Sequence, residues 1–414
     1  MFKQKNIRGQ LLFYLLLCCP FGLNGQKGFL PLPAQKQVYV PFELINNLVV
    51  CELNFEHIPH LKFIIDTGVS NTIFLYPELL IMFAQKAKKN IKIRGLGSGD
   101  EIDAVLMHNI SLSIAEVRAQ NLDVIVLNNE LLGLDRFLGE NIYGIIGYDF
   151  FKNYRVHIDY ANKMLTIENA DNPFKPQRRK MQAFDLQIEH KKPYFTADIF
   201  QGNEYFRKKK IFIDTGSSLA LSIMPSPEEK MNIPQPNIHA YLGAGISGDL
   251  AGEIARIDSF LLGNYHFSDL ITAFPDSMSI QHLQLKDHRF AAVGGEILRR
   301  FTLIMDYPHR KMYLKPNKSY TEEFSYNKSG MFLMQSDSIP NQIEVYRVDS
   351  LSPAAEAGVL PGDIIWKYNG IGGDLSLNKI MADLTNLKAG KRIKLQLKRK
   401  EEFHKVQFFL KDLL

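Results

Sequence analysis

An internal repeat constrains the fold of this chain more than any other feature. Residues 63–70 read Phe-Ile-Ile-Asp-Thr-Gly-Val-Ser, and residues 211–218 read Ile-Phe-Ile-Asp-Thr-Gly-Ser-Ser. Asp66 and Asp214 differ by 148 positions, as do Gly95 and Gly243, and Gly97 and Gly245. Gly147 and Gly294 differ by 147, as do the Asp-Tyr pairs at 159–160 and 306–307. Landmarks in one order and at one offset, with a single-residue gap, mark a duplication. Two related units commonly pack about a pseudo-two-fold axis, which brings equivalent residues face to face.

Each repeated octapeptide drives an apolar run into an acidic residue and then a glycine, the pattern of a buried strand ending in a tight turn. A carboxylate there is costly unless it is paired or hydrogen-bonded. If the two turns meet, Asp66 and Asp214 share one site; like charges held close cannot both ionise cheaply, so one proton is shared. Each unit also carries an apolar-apolar-Gly element, Ile145-Ile146-Gly147 and Ala292-Val293-Gly294, followed by a short helical pattern and an Asp-Tyr turn.

Between these landmarks, β-branched and aromatic runs broken by Gly, Asn, Asp and Pro predict strand-rich units over residues 38–170 and 184–316. A linker is expected at 171–183, with Pro173, Pro176 and the basic triplet 178–180. Helical periodicity is scarce, residues 77–89 being the best candidate. The net charge of +5 is modest and the basic residues are scattered. The runs at 178–180 and 208–210 read as linker and loop, so no nucleic-acid partner is expected.

At the N-terminus, Lys3, Lys5 and Arg8 precede an apolar run over 11–19, then Pro20 and Asn24-Gly25. This is the layout of a secretory signal peptide over residues 1–25. The run is shorter than the roughly 20 residues of a membrane helix. The expectation is an exported protein, periplasmic or extracellular, with no membrane span after signal removal. A retained anchor, or a lipoprotein through Cys18 or Cys19, is the alternative. Cys51 would then be the only cysteine, and no internal disulfide could form.

Other chemistries fit poorly. Gly243-Ala244-Gly245-Ile246-Ser247-Gly248 has the spacing of a dinucleotide loop but no βαβ context, and reads as a hairpin tip. His57 and His60 lack a third ligand at metal-site spacing. Ser217 and Ser218 form no nucleophile elbow. Neither a metal nor a cofactor is expected.

Residues 330–414 follow a different pattern. Ser352-Pro353-Ala354-Ala355-Glu356-Ala357-Gly358 reads as a capped short helix, with proline at its first position and glycine at its end. Leu360-Pro361-Gly362-Asp363 is a turn, 364–368 a strand, 377–387 an amphipathic helix, and 392–399 and 404–410 are strands.

Two Asp-Thr-Gly turns in register with their apolar-apolar-Gly elements resemble the bilobal aspartic proteases, each lobe also being similar to a retropepsin-type subunit, over residues 38–316. The resemblance implies catalytic Asp66 and Asp214, active-site turns containing Thr67, Gly68, Thr215, Gly216 and Ser217, and turn support from Gly147 and Gly294. It places Gly95, Gly97 and Gly99 in a hairpin flap over the cleft. No tyrosine occurs between 93 and 105, which suggests a flap closer to the retropepsin type. Val69 stands where the second copy has Ser217; the asymmetry implies that Ser217 favours ionised Asp214, leaving Asp66 as proton carrier.

Residues 330–414 resemble a PDZ domain of the bacterial type, which implies strand-addition binding of a peptide or C-terminus, with Gly330, Met331 and Phe332 as candidate binding residues. The expected fold is mostly β: two homologous acid-protease-like β lobes about a pseudo-two-fold axis, plus a C-terminal PDZ-like α+β domain. The expected function is that of an exported, monomeric aspartic endopeptidase acting on polypeptide in the interlobe cleft. The PDZ domain would recruit peptide or regulate access. The competing reading is an inactive scaffold that binds peptides through its PDZ domain.

Overall fold

The computed structural model describes residues 27–128, 133–176, 180–224, 229, 231–284, 288–337 and 342–414. The expected signal peptide and residues 177–179 of the expected linker lie outside them. The chain is mostly β, as its alternating β-branched and aromatic runs require.

Among the described residues, a nine-stranded sheet contains the first Asp-Thr-Gly turn and an eight-stranded sheet the second. At the heart of the first, Gly144–Ile146 pairs in parallel with Ile58–Ile65, setting Ile145 beside Ile64. At the heart of the second, Ala291–Val293 pairs in parallel with Glu204–Ile213, setting Ala292 beside Phe212. Parallel neighbours need a long crossover connection. That is why the turn and its supporting element lie far apart in sequence yet side by side in space.

A third sheet of six strands joins the halves. Gln37–Pro41, Met164–Asn169 and Tyr154–Asp159 come from the first, and Phe301–Asp306, Lys311–Pro316 and Gln182–Asp185 from the second. The strand Gln182–Asp185 begins just inside the expected linker, because it pairs with Lys311–Pro316. Where the halves meet, Arg155 lies opposite Asp306, and its Nε donates to Asp306 Oδ2 at 2.8 Å. Arg155 also donates to Glu168 Oε1 at 3.1 Å and to the Ala170 carbonyl at 2.6 Å. A buried charge is tolerated only with such multiple partners. One apolar core runs through both halves, including Phe63, Ile65, Ile211, Ile213 and Leu303.

The helix expected over 77–89 is much shorter. An α-helix covers Glu78–Met82 and a 3-10 turn Ala84–Lys86. Ala87–Ile93 is instead an edge strand paired with Ile102–Ile114. Its alternation of lysines with Ile91 and Ile93 fits an edge that is apolar on one side and solvated on the other.

The C-terminal domain has its own six-stranded sheet and its own core, with Met331, Ile365, Leu384 and Leu397 fully buried. The helix Pro353–Glu356 starts at Ser352, whose Oγ accepts from the Ala355 N–H at 3.3 Å. Leu377–Asn386 is the longer helix, capped likewise by Ser376. Among the described residues no helix is long and apolar enough to cross a membrane.

Candidate active site

The two Asp-Thr-Gly turns meet and bond to one another reciprocally. Thr67 Oγ1 donates to the Ile213 carbonyl at 2.6 Å and accepts from the Thr215 N–H at 3.1 Å. In return, Thr215 Oγ1 donates to the Ile65 carbonyl at 2.9 Å and accepts from the Thr67 N–H at 3.0 Å. Both threonines are fully buried, so these four bonds satisfy groups that water cannot reach. The supporting strands fix each turn from behind: the Asp66 N–H donates to the Ile146 carbonyl at 2.8 Å and the Asp214 N–H to the Val293 carbonyl at 2.9 Å. Gly147 and Gly294 follow those strands at matching positions, and the next N–H in each copy returns to the turn, Tyr148 to the Val69 carbonyl and Gly295 to the Ser217 carbonyl.

This framework brings the two carboxyl groups into hydrogen-bond contact. Asp66 Oδ1 accepts from the Gly68 N–H at 2.5 Å, and Asp214 Oδ1 from the Gly216 N–H at 3.1 Å. Gly216 has to be a glycine: a Cβ there would lie 2.4 Å from Asp66 Oδ2. Both residues keep partial exposure into the cleft, yet both carboxyls titrate above their ordinary range. Desolvation is the largest cause for Asp66, reinforced by the charge of Asp214, and pushes it up to about 8. Desolvation also raises Asp214, but Arg289 and Lys192 counter it. Asp66 is therefore the favoured proton carrier.

The source of that asymmetry differs from the sequence expectation. Ser217 Oγ turns into its own loop and accepts from the Leu219 N–H at 3.4 Å. Arg289 of the second half supplies the bias instead, by lowering Asp214, whereas Lys192 lowers both carboxyls. Arg289 is buried, with its guanidinium 4.6 Å from the Phe212 ring centre; Lys192 Nζ lies 5.7 Å from the same centre. Neither residue belongs to a motif. The first-half counterpart of Arg289 is Ile142, at the repeat's offset of 147, whereas that of Lys192 is Leu48 only by strand register.

Two hairpin tips close over the site. The first lies between Ala87–Ile93 and Ile102–Ile114 and carries Gly95, Gly97 and Gly99; the second joins Asn237–Gly245 to Gly248–Leu262. They interlock. The Ser247 N–H donates to the Leu96 carbonyl at 2.8 Å, and the Gly99 N–H to the Ser247 carbonyl at 2.7 Å. The Gly95 N–H reaches Ser247 Oγ at 3.0 Å. At Gly97 the backbone has φ +127°, and a Cβ would come within 2.4 Å of the Ser247 backbone. The tips cross sides: Leu96 packs with Tyr194, Phe212, Met224 and Ile280, while Ile246 packs with Ile45, Leu48, Val50, Ile64 and Val69.

The C-terminal domain sits against these flaps. Tyr346 donates its hydroxyl to Asp249 Oδ2 at 2.8 Å, beside the second tip. The ring of Tyr241, in a flap strand, lies 5.5 Å from Phe332 and 5.5 Å from Tyr346. From the first half, Phe137 meets Tyr346 at 5.0 Å. Its neighbour Arg136 donates to the Gln335 carbonyl at 2.9 Å and pairs with Asp337. Asn378 bonds the Leu138 carbonyl at 3.3 Å, so Leu134–Leu138 lies between the strand Met331–Gln335 and the start of the helix Leu377–Asn386.

The candidate peptide-binding loop is closed on itself. Asn327 Oδ1 accepts from the N–H groups of Ser329 at 3.0 Å and Gly330 at 3.3 Å, and Ser329 Oγ accepts from the Met331 N–H at 3.1 Å. Met331 is fully buried, and Phe332 faces the flap. These residues form the junction with the second hairpin, with their amide donors already engaged.

Two β halves joined by a shared sheet, with a paired Asp-Thr-Gly site beneath paired flaps, define the architecture of an aspartyl protease. Comparison with known families agrees: residues 51–150 match a family described as aspartyl protease, and residues 323–408 match the PDZ domain. The chain thus joins an aspartyl protease domain to a C-terminal PDZ domain. No curated protein gives a significant match to the chain.

Proposed function

We propose that the protein is an aspartic endopeptidase that hydrolyses peptide bonds between Asp66 and Asp214. The observation that carries this reading is the hydrogen-bonded carboxyl pair held by reciprocal threonine bonds. In the one-proton state, ionised Asp214 is the general base: it takes a proton from a water molecule as that water attacks the scissile carbonyl. Protonated Asp66 donates a hydrogen bond to the carbonyl oxygen and stabilises the charge that develops there. As the tetrahedral intermediate collapses, the proton held by Asp214 goes to the leaving amine. The C–N bond breaks, and the elements of water are shared between the two products.

The PDZ domain, on this reading, regulates access rather than capturing free C-termini. Its loop donors are engaged internally, and Tyr346, Phe332 and Arg136 tie it to both halves around the flaps. The leader-like residues 1–25 support action outside the cytoplasm. Asp66→Asn and Asp214→Asn, each assayed against a peptide mixture, test the central proposal. Loss of cleavage in both, with the fold retained, is expected; unchanged cleavage in either sinks the shared-proton mechanism and favours a non-catalytic scaffold.

A further inference from the structure

The outer face of the C-terminal sheet carries a concentration of charge that the chain as a whole does not. Residues 388–411 hold nine lysines and arginines against two glutamates, an excess of seven in a chain whose net charge is +5. Strand pairing gathers part of this charge on one side. Along Arg392–Arg399 and Glu402–Phe409 side chains alternate between the two faces. Ile393, Leu395, Leu397 and Phe408 are buried in the domain core, and Arg392, Lys394, Phe403, Lys405 and Phe409 are exposed. The ladder sets Arg392 opposite Phe409 and Lys398 opposite Phe403. From the neighbouring strand Lys367 adds a cation opposite Gln396, and Trp366 meets Phe403 edge to face at 5.4 Å.

Three aromatic rings therefore stand open among cations. Trp366 is 39% exposed, Phe403 52% and Phe409 60%. The two glutamates lie together at the turn that ends the face, Glu401 against Lys398 at 3.4 Å and Glu402 against His404 at 3.8 Å. Among the described residues no acidic group forms an ion pair with Lys367, Arg392, Lys394 or Lys405. The catalytic halves meet Phe332, Gln335 and Tyr346, in the first two strands of this domain. The sheet order puts Glu402–Phe409 at the opposite edge.

We infer that this face docks on an anionic lipid surface. Charge complementarity points there: lysines and arginines are drawn to anionic headgroups, and their methylene stems lie along apolar surface while the charged ends stay wet. Tryptophan and phenylalanine beside them fit the boundary between headgroups and acyl chains. Nucleic acid fits less well. Bases stack on open ring faces, whereas Trp366 and Phe403 pack edge against face with their planes 62° apart. The domain would lie on the membrane rather than cross it, and the inference is independent of the chemistry at Asp66 and Asp214.

Trp366 is the only tryptophan of the chain, so its emission reports on this face alone. The test titrates the full-length protein with phosphatidylcholine vesicles, with and without phosphatidylglycerol, and follows co-sedimentation and tryptophan emission together. Vesicles containing phosphatidylglycerol should bind the protein and shift the emission to the blue, and rising salt should release it. Lys394→Glu combined with Lys405→Glu should weaken binding by roughly 25-fold or more, since each cation near the surface contributes about fivefold. Phe409→Ser should weaken it too, at unchanged charge. All three positions are exposed, and far-UV circular dichroism checks that the variants fold. Lipid affinity of the apolar run at 11–19 would not be mistaken for this face, because that run has no tryptophan and neither variant touches it. No binding to the anionic vesicles, binding without a blue shift, or binding that both variants leave unmoved overturns the docking face. Tighter binding to an oligonucleotide or to polyglutamate than to those vesicles overturns its assignment to lipid.

Discussion

The Tyr346 hydroxyl of the PDZ domain donates to Asp249 Oδ2 at 2.8 Å, a few residues from the tip of the second flap. The bond ties the PDZ domain to a segment that, on the proposed function, moves for substrate to enter. Closed flaps are themselves held by several backbone bonds between the tips, each worth about 1 kcal/mol net. Opening is therefore an equilibrium that one further bond can bias. Tyr346→Phe should raise kcat/KM for long peptides by about fivefold, corresponding to roughly 1 kcal/mol. Amide hydrogen exchange over residues 240–250 should accelerate in parallel. Unchanged exchange would show that the domain only rests against the flap.

On the proposed mechanism the two aspartates divide one reaction between them. Asp66→Asn and Asp214→Asn should each reduce cleavage by at least 10²–10⁴-fold, the range set by positioned acid–base groups. The two variants should differ in stability even so. Asn at 66 replaces a carboxyl that desolvation and the charge of Asp214 push up to about 8. A raised folded value favours the protonated form: stability is full below the unfolded value, near 3.8, and declines as pH rises through the folded one. Asp66→Asn should therefore lessen the loss of stability between pH 4 and 8, as measured by Tm across that range.

Activity should follow the same logic. The one-proton state is lost as pH rises through the titration of Asp66, so kcat/KM should fall on the alkaline side near pH 8. Lys192 draws Asp214 down. Lys192→Leu should thus move the acidic limb of the profile to higher pH. An unmoved limb would remove Lys192 from the electrostatics of the pair.

The threonine bonds predict a graded series. Thr67→Ala leaves the Thr215 N–H without its acceptor in a buried site and should cost about 1–3 kcal/mol in denaturant unfolding. Thr67→Ser restores the hydroxyl and should recover most of it. The serine loses only a methyl.

Acid should loosen the shared sheet. Burial pulls Glu168 upward, but bonds from His157, Gln37 and Arg155 outweigh it and hold the carboxyl down to about 2. A depressed acid stabilises the fold above its unfolded value, near 4.5, and that contribution is lost as pH falls toward 2. Tm should drop across this window, and Glu168→Gln should flatten the drop.

Much of this architecture is legible in the sequence, for definite reasons. The Asp66 and Asp214 turns stand out because a short polar motif behind an apolar run has few alternatives, and its repetition at one offset identifies partners that no local pattern could. Pro353 to Glu356 and the strand Ile364–Tyr368 were readable because caps and turns act locally. Residues 87–89 read as helix because an edge strand with lysines on its open side carries little apolar signal, and the proline at 77 suggests a helix start. The junction of Asp249 with Tyr346 and the closure of the Gly330 loop by Asn327 depend on tertiary contacts that leave no trace in periodicity. Arg289 and Lys192 belong to no motif and stand where the two halves differ, so the repeat does not mark them.

Those differences are open only to a fused chain. In an assembly of two identical subunits, every substitution appears on both sides of the axis, and a cation beside one aspartate would always be matched beside the other. Because Ile64 and Phe212, or Ile142 and Arg289, are encoded separately on one polypeptide and held by the shared six-stranded sheet, each half could diverge alone. The cleft has thereby gained a left and a right. On the proposed function, a substrate strand that enters it would meet a directional surface.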